Sequence, residues 1–182
     1  MRLLFGFLSV ALLTAALLPA QSQLSGRRAP GFSLSDYETV PHDIADLRGK
    51  LVLVEFMQTD CPQCQKFAGI LEEIRNKYGD RVAILSIVNP PTNVDMVKEF
   101  AKAHNLSYPI LFDCGQVAAS YFKASPQNPS FHIPHVFLVD ADGIIFKDFG
   151  FNLKNKEIFE GKQLFDEVER YFTSYRPAPS AE

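Results

Sequence analysis

Residues 51–67 read LVLVEFMQTDCPQCQKF. The first seven, Leu51 to Met57, form an apolar run interrupted only by Glu55, the pattern of a strand buried on both faces of a sheet. Two cysteines, Cys61 and Cys64, follow two residues apart. From Pro62 to Tyr78 the period changes: Phe67, Ile70, Leu71, Ile74 and Tyr78 recur at helical spacing, while Glu72, Glu73, Arg75 and Lys77 fill a solvated face. A second apolar run, VAILSIV from Val82 to Val88, supplies another central strand. Strand, helix and strand in this order predict a right-handed parallel crossover.

Working outward, a helix is expected over Asn93 to His104, with Val94, Val97, Phe100 and Ala101 inward. A short strand is expected at YPILFD and a short helix from Gln116 to Phe122. HVFLVDADGIIFKDFGF reads as two strands around Asp142-Gly143, a hairpin signal. One long amphipathic helix around Ile158 to Phe172 closes the domain. The sum is an α/β fold, a mixed sheet with helices on its faces.

Composition bounds the function. The chain has 182 residues, 47% hydrophobic and 21% charged, enough for one globular domain with dispensable ends. Its formal net charge is -3 and its densest basic cluster is the pair Arg27-Arg28, which argues against nucleic acid as a partner. Met1-Arg2, an apolar run from Leu3 to Leu18 and a small residue at Ala20 follow the order of a secretory signal. Residues 1–20 are therefore expected to be a signal peptide, 21–28 a linker, 29–174 the domain and 175–182 a Pro-rich tail. Export to a periplasmic or other extracytoplasmic compartment follows, with an uncleaved N-terminal membrane anchor as the alternative. Cysteine pairs persist as disulfides in such a compartment.

The place of the cysteine pair in this plan gives it a chemistry. Cys61 follows a central strand and immediately precedes a helix, where unsatisfied N–H groups and the helix dipole favour a thiolate. Cys61 is thus expected to be the nucleophile. Pro62 takes the first helical position, where its missing N–H costs nothing. Cys64, almost a turn further in, is placed to attack a mixed disulfide on Cys61. Glu55, buried in an apolar strand, is expected to have a raised proton affinity and so to be able to take a proton.

From Ala29 to Gly150 the chain resembles the thioredoxin-like superfamily, in its exported TlpA/ResA-type branch, which is related to the AhpC/TSA redoxins. The resemblance is carried by APGFSL (Ala29–Leu34), LRGKLVLVEF (Leu47–Phe56), the Cys61-Pro62-Gln63-Cys64 turn heading a helix, and IPHVFLVDADG (Ile133–Gly143). It implies a thioredoxin-like fold, a central mixed β-sheet with helices on both faces, and a thiol-disulfide oxidoreductase. It also implies a cis Ile133-Pro134 bond facing the cysteines, and a buried acid at Glu55, six residues before Cys61, that exchanges a proton with Cys64. The substrate would then lie against Pro62, Gln63, Ile133 and Pro134. The implied substrates are exported protein thiols or disulfides, with a separate redox partner at the membrane to reset the pair. No haem, flavin or other cofactor is implied. Asp60 stands where thioredoxins commonly carry tryptophan, and the intervening pair is Pro-Gln, so the direction of electron flow stays open.

Rival chemistries would draw on the same residues. A peroxiredoxin-like peroxidase wants a threonine three residues before its reactive cysteine, but Gln58 is there and Thr59 is one place late. A metal centre would use Cys61, Cys64, His132 and His135, although residues three apart on a strand point to opposite faces. A purely structural bridge would close too small a loop to stabilise much. The stretch KASPQNPSFHI, Lys123 to Ile133, is long for its place and could select partners, with Phe131 as an apolar contact. Cys114 is expected to be a small buried packing residue.

Overall fold

The computed structural model describes residues 24–127 and 131–175. The expected signal segment, and the tail after Tyr175, lie outside them. Among the described residues, eight strands are β1 (Arg27–Arg28), β2 (Ser33–Ser35), β3 (Pro41–Asp43), β4 (Leu51–Met57), β5 (Val82–Val88), β6 (Ile110–Phe112), β7 (His135–Val139) and β8 (Ile144–Gly150). Five α-helices in the same residues are α1 (Pro62–Tyr78), α2 (Val94–Ala103), α3 (Gln116–Phe122), α4 (Lys156–Phe159) and α5 (Lys162–Ser174). The main sheet runs β1-β8-β7-β4-β5-β6, and β2 and β3 form a separate hairpin.

The two apolar runs are the paired strands β4 and β5, parallel and in register from Leu51↔Val82 to Met57↔Val88. All seven residues of β4 are buried. β7 pairs antiparallel on the other side of β4, making the sheet mixed. Alternation divides its residues between two layers. Leu51 and Leu53 pack against Phe67, Leu71 and Ile74 of α1 and against Ile158, Phe159, Leu164 and Val168 of α4 and α5. Val52, Val54 and Phe56 face the opposite way, onto Ala118, Tyr121 and Phe122 of α3. Helices therefore cover both faces.

Local chemistry fixes the ends. The side chain of Asn93 caps α2 by accepting from Met96 N at 3.1 Å. In the β7–β8 turn, Asp140 Oδ1 accepts from Asp142 N (3.0 Å) and Ile144 N (2.8 Å), and Gly143 adopts φ 75°.

Two boundaries differ from expectation. The single closing helix is two, broken at Gly161, whose φ of 100° interrupts a helix and whose missing side chain lets Ile70 approach. The expected linker 21–28 ends within the fold: Arg27 and Arg28 pair with Ile145 and Ile144. The Arg27 guanidinium donates to the carbonyls of Leu24 (2.9 Å) and Tyr121, tying this strand to α3.

Candidate active site

The chain leaves β4 at Met57 and turns through Gln58 to Asp60, with Cys61 N donating to Gln58 O at 3.3 Å. Cys61 becomes the N-cap of α1, and its sulfur accepts from Cys64 N at 3.3 Å. Proline at the first helical position removes a donor that would otherwise be unpaired. The two free thiols differ in exposure. Cys61 is half-buried, whereas Cys64 is 0% exposed. Burial pushes the Cys64 thiol well above its ordinary value, and the nearby Glu55 charge and the Cys61 contact push it further the same way.

Glu55 sits on the face of β4 that looks toward α1, two residues on from Leu53 in the strand alternation. It is 1% exposed. Burial raises its carboxyl to about 7, against a smaller lowering by its hydrogen bond from Ser86. Ser86 Oγ donates to Glu55 Oε2 at 2.5 Å, while Oε1 has no hydrogen-bond partner among the described residues. An unpartnered buried oxygen costs less on a neutral acid than on a carboxylate, which accords with the raised value.

The far side of the site comes from the approach to β7. Ile133-Pro134 is a cis peptide, and Ile133 packs with Cys61 and Tyr37 against the cluster that holds Cys64, Met57 and Val88. Pro62 is exposed and Gln63 half-buried at the helix head. Cys61, Cys64, Ile133 and Glu55 are thus gathered at the carboxyl ends of β4 and β5 from two separated stretches of chain. Three contributors were not picked out in the sequence: Ser86, Tyr37 and Tyr108. Ser86 had a signal. It is the fifth residue of VAILSIV, as Glu55 is of LVLVEFM, so in-register parallel pairing places the two polar residues side by side.

Other expected contributors lie elsewhere. His135 faces the α3 side, stacked on Phe137 (centroids 4.5 Å apart) with Nε2 3.1 Å from Asp148 Oδ2, and His132 is exposed. No group of three or more His, Cys, Asp or Glu capable of holding a metal occurs among the described residues. Phe131 lies flat on Phe122, 4.2 Å between centroids, so its ring joins the core layer below α3. Cys114 is exposed, contrary to expectation. The inward position belongs to Asp113, whose carboxylate accepts from Val117 N and Ala118 N and from Asn89 Nδ2, and the next residue is turned out.

The sequence pattern of the AhpC/TSA family matches residues 25–147. The chain belongs to the AhpC/TSA family. Among its relatives, the thiol-disulfide oxidoreductase ResA of a Bacillus cereus strain is 29% identical over 153 residues, covering 84% of this chain and 79% of that protein. The thioredoxin-like protein YneN of Bacillus subtilis is 28% identical over 122 residues, covering 66% of this chain and 68% of that one. Among solved structures, the thioredoxin domain of a thiol-disulfide oxidoreductase from Bacteroides vulgatus superposes with TM-score 0.67 at 22% identity, covering 82% of this chain and 99% of that one. The peroxidoxin BcpB of Mycobacterium tuberculosis superposes with TM-score 0.62 at 20% identity, covering 84% and 98%. The fold of this family member is thioredoxin-like, as expected. Because oxidoreductase and peroxidoxin share that fold, the chemistry has to be read from the site.

Proposed function

We propose that this AhpC/TSA family protein is a thiol-disulfide oxidoreductase that exchanges disulfides with protein substrates through Cys61 and Cys64. The observation that carries the reading is the asymmetry of the pair: an accessible sulfur capping a helix, and a buried thiol one turn behind it beside an acid. In the reducing direction, the Cys61 thiolate attacks one sulfur of a substrate disulfide, forming a mixed disulfide and releasing the other substrate sulfur as a thiolate. Cys64 gives its proton to Glu55 and attacks the Cys61 sulfur. The Cys61–Cys64 disulfide forms, the second substrate sulfur leaves, and two electrons have passed to the substrate. The reverse sequence oxidises a dithiol. Asp60, Pro62 and Gln63, at the sulfurs themselves, bias the direction.

The substrate segment lies in extended form over Pro62 and Gln63 and against Ile133 and Pro134. The names of the ResA relatives support the reaction class. The apolar run Leu3–Leu18 behind Met1-Arg2 supports an extracytoplasmic site of action, with residues 1–20 as signal or anchor. Among the described residues no helix is long and apolar enough to cross a membrane. The partners are exported protein thiols or disulfides, together with a membrane-associated redox protein that resets the pair.

Turnover of a protein disulfide, with glutathione as the resetting thiol, tests the reading. The parent should reduce it catalytically, and Cys61→Ser should fall to the uncatalysed rate with its fold intact. Equal rates for the two would overturn the proposal, and peroxide turnover in their place would favour the peroxidase reading.

A further inference from the structure

The connection from α3 to β7 runs from Lys123 to Pro134, well beyond the about 4–6 residues usual between elements. Its two ends are nevertheless joined. Phe122 closes α3, and Phe131 lies against it with ring centroids 4.2 Å apart and planes within 6° of parallel. The pair rests on the sheet. Phe56 of β4 meets Phe122 edge-on at 5.0 Å and Phe131 at 6.4 Å, and His135 of β7 meets Phe122 at 4.8 Å. Two residues after Phe131 comes Ile133, half-buried, whose N–H and C=O make no hydrogen bond among the described residues. An extended substrate segment would pair with this stretch of backbone.

We propose that Phe131 is a positioning residue: stacked on Phe122, it closes the long connection ahead of the active site, so that Ile133 offers its backbone to a protein substrate as a fixed edge. A segment free to move must be ordered when a substrate strand pairs with it, and that ordering subtracts from binding. Here the ordering is done in the free protein. Aromatic pairs favour defined relative geometries, so the stack fixes where the chain re-enters the fold as well as burying area. The chemistry lies on the other face of the sheet. Phe56 looks toward α3, whereas Cys64 packs with Met57 and Ala68 on the α1 side, the side of Glu55. Loss of the Phe131 ring therefore loosens the edge and leaves the two sulfurs in place. A small disulfide reaches Cys61 without pairing with Ile133 and does not register the change, but a protein disulfide does.

The inference rests on the functional reading above, and its test separates the two. The reduced full chain is mixed under single-turnover conditions with insulin, as a disulfide-bonded protein, or with 2-hydroxyethyl disulfide, and the second-order rate constant of Cys61–Cys64 bond formation is read. Backbone ¹⁵N order parameters are recorded on the reduced protein without substrate. Phe131→Ala should lower the rate constant for insulin about tenfold and leave that for the small disulfide within about twofold of the parent. The order parameter of Ile133 should drop from about 0.85 to below about 0.6. Equal losses on the two substrates would mark general damage and overturn the inference alone, as would an unchanged rate on insulin. A selective loss with the Ile133 order parameter unmoved would show that Phe131 touches substrate itself, and would overturn it as well. Should Phe131→Ala fail to fold, Phe131→Leu, which keeps most of the apolar volume, decides by the same criteria with an expected loss of about threefold on insulin. A parent that is oxidised by neither disulfide would overturn the functional reading and the inference with it.

Discussion

Cys64→Ser is expected to stop the reaction at its midpoint, so that substrate proteins accumulate as mixed disulfides on Cys61 and turnover falls by about 10³-fold or more. The size of the effect follows from what Cys64 is. Held one turn from Cys61 at the head of α1, it attacks as an intramolecular thiol, and well-oriented intramolecular groups act at effective concentrations far above any free thiol. Serine fills the same buried slot with little change in volume but is a far weaker nucleophile, so the first step survives and the second does not. Non-reducing gels and peptide mapping read the outcome. Adducts should map to Cys61. Because Cys114 is exposed, adducts found there in place of Cys61 would contradict the assigned nucleophile.

Glu55→Gln should stabilise the protein at alkaline pH and slow its second chemical step. The folded-state carboxyl, raised to about 7 by burial, binds its proton more tightly than the unfolded chain does near 4.5. Its favourable contribution is therefore complete below about pH 4.5 and is lost as pH rises through 7. Above that point the fold carries an ionised buried carboxylate at a cost of about 3 kcal/mol, taking 1.36 kcal/mol per pH unit. Glutamine never ionises. Urea midpoints of parent and variant should lie close together at pH 4.5 and diverge in favour of Glu55→Gln by pH 8, the gain reaching about 3 kcal/mol less the cost of orienting the new amide. A difference that does not change between those pH values would show that Glu55 titrates normally. The same variant cannot take a proton from Cys64, so a more stable protein that resolves mixed disulfides more slowly is the joint signature.

Much of this was legible in the chain because the decisive stretches are long and strongly patterned. The limits of β4, α1, β5 and α3 match the sequence reading residue for residue, since apolar runs flanked by turn residues and a helical stripe starting at a proline leave little freedom. Glu55 was readable as a charge out of place. The parts that were not legible depend on neighbours distant in sequence. Cys114 follows an apolar strand, but the inward position is taken by Asp113, whose carboxylate satisfies two helix N–H groups that a cysteine would leave unpaired. The closing helix breaks at Gly161 because its backbone turns where Ile70 of α1 packs against it, and nothing in the local periodicity announces a contact with so distant a part of the chain. His135 looked like a partner for the cysteines until strand pairing set it opposite Phe56, on the other face of the sheet from Glu55.

The account stands on Cys61 and Cys64 acting as one two-electron couple. The direct measurement equilibrates the full chain across a series of glutathione redox buffers, quenches with a thiol-blocking reagent, and determines by peptide mass which cysteines are joined. A single transition is predicted, in which Cys61 and Cys64 are lost together as one internal disulfide, absent in Cys64→Ser. Separate oxidation of the two cysteines to glutathione adducts, with no bond between them at any ratio, would contradict the account.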